Sequence, residues 1–420
     1  MLTMPLRKLS HGINLAAVLF FGAAFTLLLM SWNRQPLRGQ SQAANTPAGL
    51  PGARPIIDAG KYPSLQAAFD AIPREGGVVR IPPGTFAIQQ PLTIRQSDVL
   101  IEGSGTATLI KNQNENGQPA ILIAHPKGDK APRDERLWRV QLANFRVVGN
   151  PKSGPGIHAV LVNEIFLHGV TVSYHGGDGI VLDRCFEDPR VANCLITYNK
   201  GTGLDVSGCH DIVVSGNQFE ENQDALHCFD AFNLCMTGNN LDDHLRHGVV
   251  IENTYGSVLS GNMIEECNGT AIILDRDCYG ITLSANVIAH NGAGIDLRDA
   301  HGCTVSGNTL TINATHGVRV GPASGRIAVT GNTFANSYIG DGKIMRGTND
   351  MKAAGLTLEG TTDIAVSGNV FASVQPKAVE VIGKPSRRIL FSNNVLTDVQ
   401  SDHESLKDSV IHSLILPQAK

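Results

Sequence analysis

The stretch that decides the fold runs from Gly203 to Asn262: GLDVSGCHDIVVSGNQFEENQDALHCFDAFNLCMTGNNLDDHLRHGVVIENTYGSVLSGN. Within it the tripeptide SGN ending at Asn217 returns as TGN at Asn239 and SGN at Asn262. It goes on as SAN at Asn286, SGN at Asn308, TGN at Asn332, SGN at Asn369 and SNN at Asn394, in steps of 22, 23, 24, 22, 24, 37 and 25 residues. A fixed period of that size means one supersecondary unit copied along an axis, each copy burying its apolar face against the next. The recurrent Asn suits a tight turn in the left-handed region, and stacked amides can hydrogen-bond from coil to coil.

A second series runs in phase with the first. GIHAV from Gly156, GIVLD from Gly179, GLDVS from Gly203, ALHCF from Ala225, GVVIE from Gly248, AIILD from Ala271, GIDLR from Gly294, GVRVG from Gly317, GLTLE from Gly355 and AVEVI from Ala378 all keep aliphatic or small residues at positions two and four. Position three varies from apolar to charged. That is the period-2 pattern of strands. Between the two series lie short β-branched runs, so each repeat holds roughly three strands, and the Leu spacing and helical arc of a leucine-rich repeat are missing. The predicted fold is all-β: a single-stranded right-handed parallel β-helix with three short sheets, about ten or more coils and an N-terminal helical cap.

The 420 residues, 42% hydrophobic but only 5% aromatic, with 45 Gly, suit a turn-rich solenoid with an aliphatic core. A net charge of −4 without basic runs argues against nucleic acid as a partner. Arg7, Lys8 and His11 precede an uncharged stretch from Ile13 to Trp32, long enough to cross a bilayer. Residues 1–33 are therefore expected to be an uncleaved anchor or a cleaved signal peptide, with the N-terminus cytoplasmic and the rest exported. Residues 34–53 are expected to form a flexible tether, 54–400 the β-helix and 401–420 a C-terminal tail or cap. Of the eight cysteines, Cys185, Cys209 and Cys278 occupy equivalent places in their repeats, which suits a buried thiol ladder, although neighbouring coils would also allow a Cys185–Cys209 disulfide.

The segment PSLQAAFDAIPREGGVVRIPPGTFAI from Pro63, followed by PLTI and VLIEGSG, resembles the opening of the pectate-lyase-like superfamily of right-handed parallel β-helix proteins with PbH1-type repeats. Ser64 is placed to N-cap a short helix through Ile72 that covers the open end of the core. The resemblance covers most of residues 55–400 and implies an extracytoplasmic protein, periplasmic or at the cell surface, that acts on a polysaccharide in a groove along one sheet. It says much less about activity, because one such scaffold serves lyases, hydrolases, epimerases and plain binding surfaces.

The GIxLx sheet is the natural groove, because its outward positions vary most. Position three reads His158, Val181, Asp205, His227, Val250, Ile273, Asp296, Arg319, Thr357 and Glu380; position five reads Val160, Asp183, Ser207, Phe229, Glu252, Asp275, Arg298, Gly321, Glu359 and Ile382. Adjacent coils lie about 4.8 Å apart. Asp205 can then orient His227 as a general base, while Glu252 and Asp275 approach the carboxyl pair of a retaining glycosidase. Asp205 and Asp296, four coils apart at roughly 19 Å, cannot flank one glycosidic bond. Glu252, Asp275 and Arg298, or Asp296 and Arg319, read equally well as surface ion-pair ladders.

The motifs of known relatives are incomplete. There is DDH at Asp242 but no NTD, GHG or RIK as in polygalacturonases, and EDPR at Glu187 lacks the His of the epimerase DPH motif. DDHLRHG from Asp242 and DRD from Asp275 gather charge beside the middle coils. The expected catalytic set is His227, Asp205, Arg298, Arg319, Glu252 and Asp275, with Arg298 or Arg319 neutralising a uronate. Substrate contacts are expected from Asp296, Arg276, His244, His247, Lys130 and Arg133, the last two on the charged insertion 111–137. A second insertion, IGDGKIMRGTNDMK from Ile339, is a further candidate groove wall. No cofactor is required; the i, i+3 spacing of His244 and His247 would suit zinc only on a helix and this segment reads as a turn, whereas Asp242, Asp243 and Asp277 could hold a hard cation such as Ca²⁺. The expectation is a monomeric lyase or C5-epimerase, before a hydrolase, acting on an acidic glycan. The alternative is a non-enzymatic carbohydrate-binding or cell-surface β-helix.

Overall fold

The computed structural model describes residues 50–336, 353–399, 406 and 410–416. The unit from Arg54 onward is a solenoid in which each coil adds one strand to each of three parallel sheets. Among the described residues the sheet of GIxLx strands has 12 members, from Leu92–Ile94 to Val379–Ile382, and a second sheet has 13, from Gly84–Ile88 to Val395–Thr397. The third and largest runs from Ile56–Asp58 to Leu414–Ile415. The predicted period and strand count per coil are therefore observed.

Like residues stack inside. Ile180, Leu204, Leu226, Val249, Ile272, Ile295 and Val318 pair in register along the GIxLx sheet and are all fully buried. Each contributes about 1.5–3 kcal/mol of burial, repeated along the axis. Small residues start these strands because the chain is tight there: a Cβ on Gly294 would meet the Gly317 carbonyl oxygen at 2.1 Å.

The Asn series behaves differently from expectation in one respect. The left-handed residue of each tripeptide is the middle one, Gly261 at φ 67°, Ala285 at φ 55° and Asn393 at φ 56°, and not the final Asn. That final Asn turns inward. Asn262 Nδ2 donates to Asn286 Oδ1 at 2.9 Å and to the Met236 carbonyl at 3.1 Å, while its backbone N–H donates to Asn286 Oδ1 at 3.0 Å. The same amide chain links Asn217 to Asn394. Stacked amides thus satisfy the buried turn, and the permissive residue before them absorbs the backbone twist.

The cap forms as predicted. Helix α1 (Leu65–Asp70) begins at Ser64, whose Oγ accepts from the Ala67 N–H at 3.1 Å, and buries Leu65, Ala68 and Phe69. All eight cysteines are free thiols, seven of them buried and only Cys235 exposed. The Cys185 N–H faces Cys209 Sγ at 3.2 Å, so neighbouring coils form a thiol contact and not a disulfide. Residues 1–33, most of 34–53, the insertion from Ile339 and most of 401–420 lie outside the described residues. Among the described residues no helix is long and apolar enough to cross a membrane.

Candidate functional site

Both predicted columns exist. Asp205, His227, Val250, Ile273, Asp296 and Arg319 follow one another in strand register, as do Ser207, Phe229, Glu252 and Asp275. His227 is the centre of the first cluster. Its Nδ1 lies 2.8 Å from Asp205 Oδ2, and its Nε2 lies 3.3 Å from Glu252 Oε2. Ser207 Oγ donates to the other Asp205 oxygen at 2.9 Å. Arg276 reaches back one coil, its Nε 3.2 Å from Glu252 Oε1. The bond to Asp205 raises the pKa of His227, burial works against it, and Glu252 adds to the rise. Sequence spacing anticipated the Asp205 contact. It paired Glu252 with Asp275, its in-register neighbour, but the side chain reaches diagonally to His227 instead.

A second charged cluster lies further along. Asp296 is 3% exposed and clasped by Arg298 Nε at 2.8 Å and Arg319 Nη1 at 3.2 Å. Arg298 also approaches Asp275 at 3.6 Å, and Arg319 Nε donates to Glu359 at 3.1 Å. Between the clusters the floor is apolar: Val250 is half-buried and Ile273 only 1% exposed.

The register corrects one assignment. The Asp296 strand, which Arg298 directly follows, is three strands from that of His227, and Arg319 is four away, roughly 14 and 19 Å. Neither arginine is a neighbour of His227; Arg276, paired with Glu252, is the cation beside it. His244 also leaves the site. It is fully buried, replacing an Asn in a second internal ladder, where the Asn222 N–H donates to its Nδ1 at 3.3 Å. Burial lowers its pKa to about 4. Asp296, buried under two arginines, holds those cations and presents almost no surface to a substrate. His247 remains on the groove edge, its Nδ1 accepting from the Thr270 N–H at 2.9 Å, and burial lowers its pKa.

The predicted metal set does not assemble. Asp242 and Asp243 gather with Glu266, their ligand atoms within 4.8 Å of one another, on the edge of the neighbouring sheet, whereas the Asp277 N–H donates to Asp299. Three carboxylates suit a hard cation such as Ca²⁺, yet exposed acidic groups of this kind also occur without one. Lys130 and Arg133 sit on single 3₁₀ turns of the insertion, both exposed. Two groove residues escaped the sequence. Asp178, whose pKa burial raises, lies close enough to feel the charges of Asp205 and His227. Asp224 is 1% exposed, pairs with Arg246 and accepts from the His247 N–H at 2.8 Å. Both precede the strand's Gly or Ala, and an acidic residue at that otherwise unremarkable place was the only signal.

Three parallel sheets, stacked amides and a charged outer face define a parallel β-solenoid. The family model "right handed beta helix region" matches residues 97–250, 155–334 and 236–396. The chain belongs to that right-handed β-helix family. No curated protein matches the sequence. Among solved structures it is similar to the mannuronan C-5 epimerase AlgE6 A-module of Azotobacter vinelandii, at 16% identity and TM-score 0.51, covering 86% of this chain and 97% of that one. It is also similar to a PL6 alginate lyase in complex with a trisaccharide, at 14% identity, TM-score 0.53 and coverage of 86% and 88%. A third is tailspike protein 3 of bacteriophage CBA120, at 13% identity, TM-score 0.56 and coverage of 82% and 61%. At these identities the likeness is one of fold.

Proposed function

We propose that this protein is an extracytoplasmic enzyme that abstracts the proton next to the carboxylate of a uronate residue in an acidic polysaccharide, as a lyase or C5-epimerase does. The observation that carries it is His227 held between Asp205 and Glu252 on an open strand face. Asp205 accepts the Nδ1 proton and leaves Nε2 as the base. Abstraction breaks the C5–H bond and makes an imidazolium, which the two carboxylates stabilise. That is the stronger base such a weak carbon acid demands. Arg276, half released from Glu252 when substrate arrives, neutralises the carboxylate where negative charge grows. Asp178, whose pKa burial raises and whose Oδ1 accepts from the Thr202 N–H at 2.7 Å, is the proposed second proton carrier, for the leaving oxygen in a lyase or the carbon in an epimerase.

Arg298 and Arg319 then serve a more distant sugar of the same chain, across the apolar floor of Val250 and Ile273. The similarity to alginate epimerases and an alginate lyase supports an acidic glycan. The second reading is a non-catalytic glycan-binding solenoid, in which the paired Asp275, Arg298 and Asp296 form a surface ion ladder. Incubating the protein with alginate and polygalacturonate, and following unsaturated-product absorbance together with proton NMR of the uronates, separates the two. Binding without turnover supports the second reading; full turnover by His227→Ala sinks the base assignment.

A further inference from the structure

We infer that a pocket at the corner beyond the groove, between Trp138 and Phe186, is a separate binding site for one acidic sugar residue of a glycan. A row of rings follows the solenoid axis there: Phe186, His210, Phe232, Tyr255 and Tyr279. The Phe186–His210, His210–Phe232 and Phe232–Tyr255 centroids are 5.0, 4.8 and 5.4 Å apart, and Tyr255 bridges to Tyr279. In a chain with only 5% aromatic residues, such a row on the outside is a concentration. Trp138 extends it at the other end, in register with Asn163, which stands where the next ring would be.

The missing ring leaves a pocket of about 340 Å³, within the range of small-ligand sites. Two of its walls are aromatic, Trp138 and Phe186; Arg136 lies 5.1 Å from the Phe186 centroid, and Glu187 is the one carboxylate of the lining. Arg133 contributes a second cation to the lining. Asn163, 3% exposed, forms the floor. Asn163 Oδ1 and Arg136 Nε are buried without a hydrogen-bond partner in the protein, which is costly for an acceptor and a charged donor.

Flat apolar walls, clustered cations, and an unpaired acceptor beside an unpaired donor match a pyranose that bears a carboxylate and hydroxyls. The walls take its C–H faces, the arginines its carboxylate, and its hydroxyls supply both donor and acceptor. The glycan class rests on the proposed function, but the site does not depend on His227 chemistry.

The chain has two tryptophans, Trp32 and Trp138, so Trp32→Phe in the full chain leaves Trp138 as the sole indole. Oligouronates titrated against that protein should change Trp138 emission saturably. Uncharged oligosaccharides of equal length should bind on the order of tenfold more weakly or worse, for loss of the charge-assisted bonds. Added Arg136→Ala, or the exposed Arg133→Ala should the former not fold, should weaken the signal by a similar factor. His227→Ala and Arg276→Ala should leave it intact even where turnover is lost. No emission change with any oligouronate overturns the inference. So does a change that survives both arginine substitutions, or one that vanishes with the groove variants. Absence of turnover by the protein with its groove residues intact, together with a saturable Trp138 signal, would tell against the enzyme assignment alone.

Discussion

His227 and Asp205 are 22 residues apart in sequence and 2.8 Å apart in space, on directly paired positions of adjacent strands. Because the carboxylate meets Nδ1, the second nitrogen is directed along the strand face, toward Glu252 and Arg276. Base strength and stability are linked there with opposite signs. The raised pKa of His227 means that the imidazolium cluster stabilises the fold fully below the unfolded value near 6.5, and that this contribution is lost as pH rises through the raised value. The base is competent only where that contribution is being given up.

Turnover on polyuronate should therefore rise with pH on an acidic limb above 6.5. Asp205→Asn should lower kcat by roughly 10²-fold or more and move the limb to lower pH. Glu252→Gln should move it the same way by less, since Asp205 is the larger cause. Profiles of kcat against pH for the three proteins decide this; an unmoved limb in Asp205→Asn would falsify the pairing as the source of basicity.

Arg276 and Arg319 should separate by substrate length. Arg276→Ala is expected to raise KM about tenfold for every uronate oligomer, and Arg319→Ala only for those long enough to span the roughly 19 Å between strands. Equal sensitivity of a disaccharide to both variants would contradict the register-based placement.

His244 and His175 are buried neutral, each with its pKa lowered to about 4 by burial. Between about 6.5 and 4 the unfolded chain binds protons that the folded chain refuses, so stability falls with falling pH across that window, by up to roughly 3 kcal/mol per group. His244→Asn restores the ladder residue and should remove its share of the acid lability while leaving turnover unchanged. Urea midpoints at pH 7 and pH 4.5 measure it.

Asn262→Ala removes two donors and the acceptor for Asn239 from a dry turn. The expected cost is about 3 kcal/mol or more, because several buried groups lose partners at once. Gly261→Ala should cost far less, since Ala285 already occupies the equivalent left-handed place. Chemical denaturation of both variants should reproduce that order.

A thiol reagent should titrate one cysteine in the folded protein, Cys235, and eight after denaturation. Six after denaturation without reductant would show one disulfide, and its assignment to Cys185 and Cys209 by peptide mapping would contradict the thiol contact.

Much of the site was legible because a parallel solenoid converts sequence offset into distance. One period is one strand spacing, so GLDVS and ALHCF alone placed Asp205 beside His227, and the tripeptide series alone set the coils. What the offset does not encode is where long or inward-turning side chains end. Glu252 crosses to His227, and Arg276 turns back to Glu252 from a left-handed turn. His244 looks like a ligand in DDHLRHG and is an internal ladder residue, because the inward position is decided by how the whole coil closes. Periodicity by itself determined the fold, the sheets and the register, since those follow from backbone repetition. Only the tertiary structure decided which charges meet, which histidine is buried and which ring is missing from the corner row, since those depend on side-chain reach and burial within a closed coil.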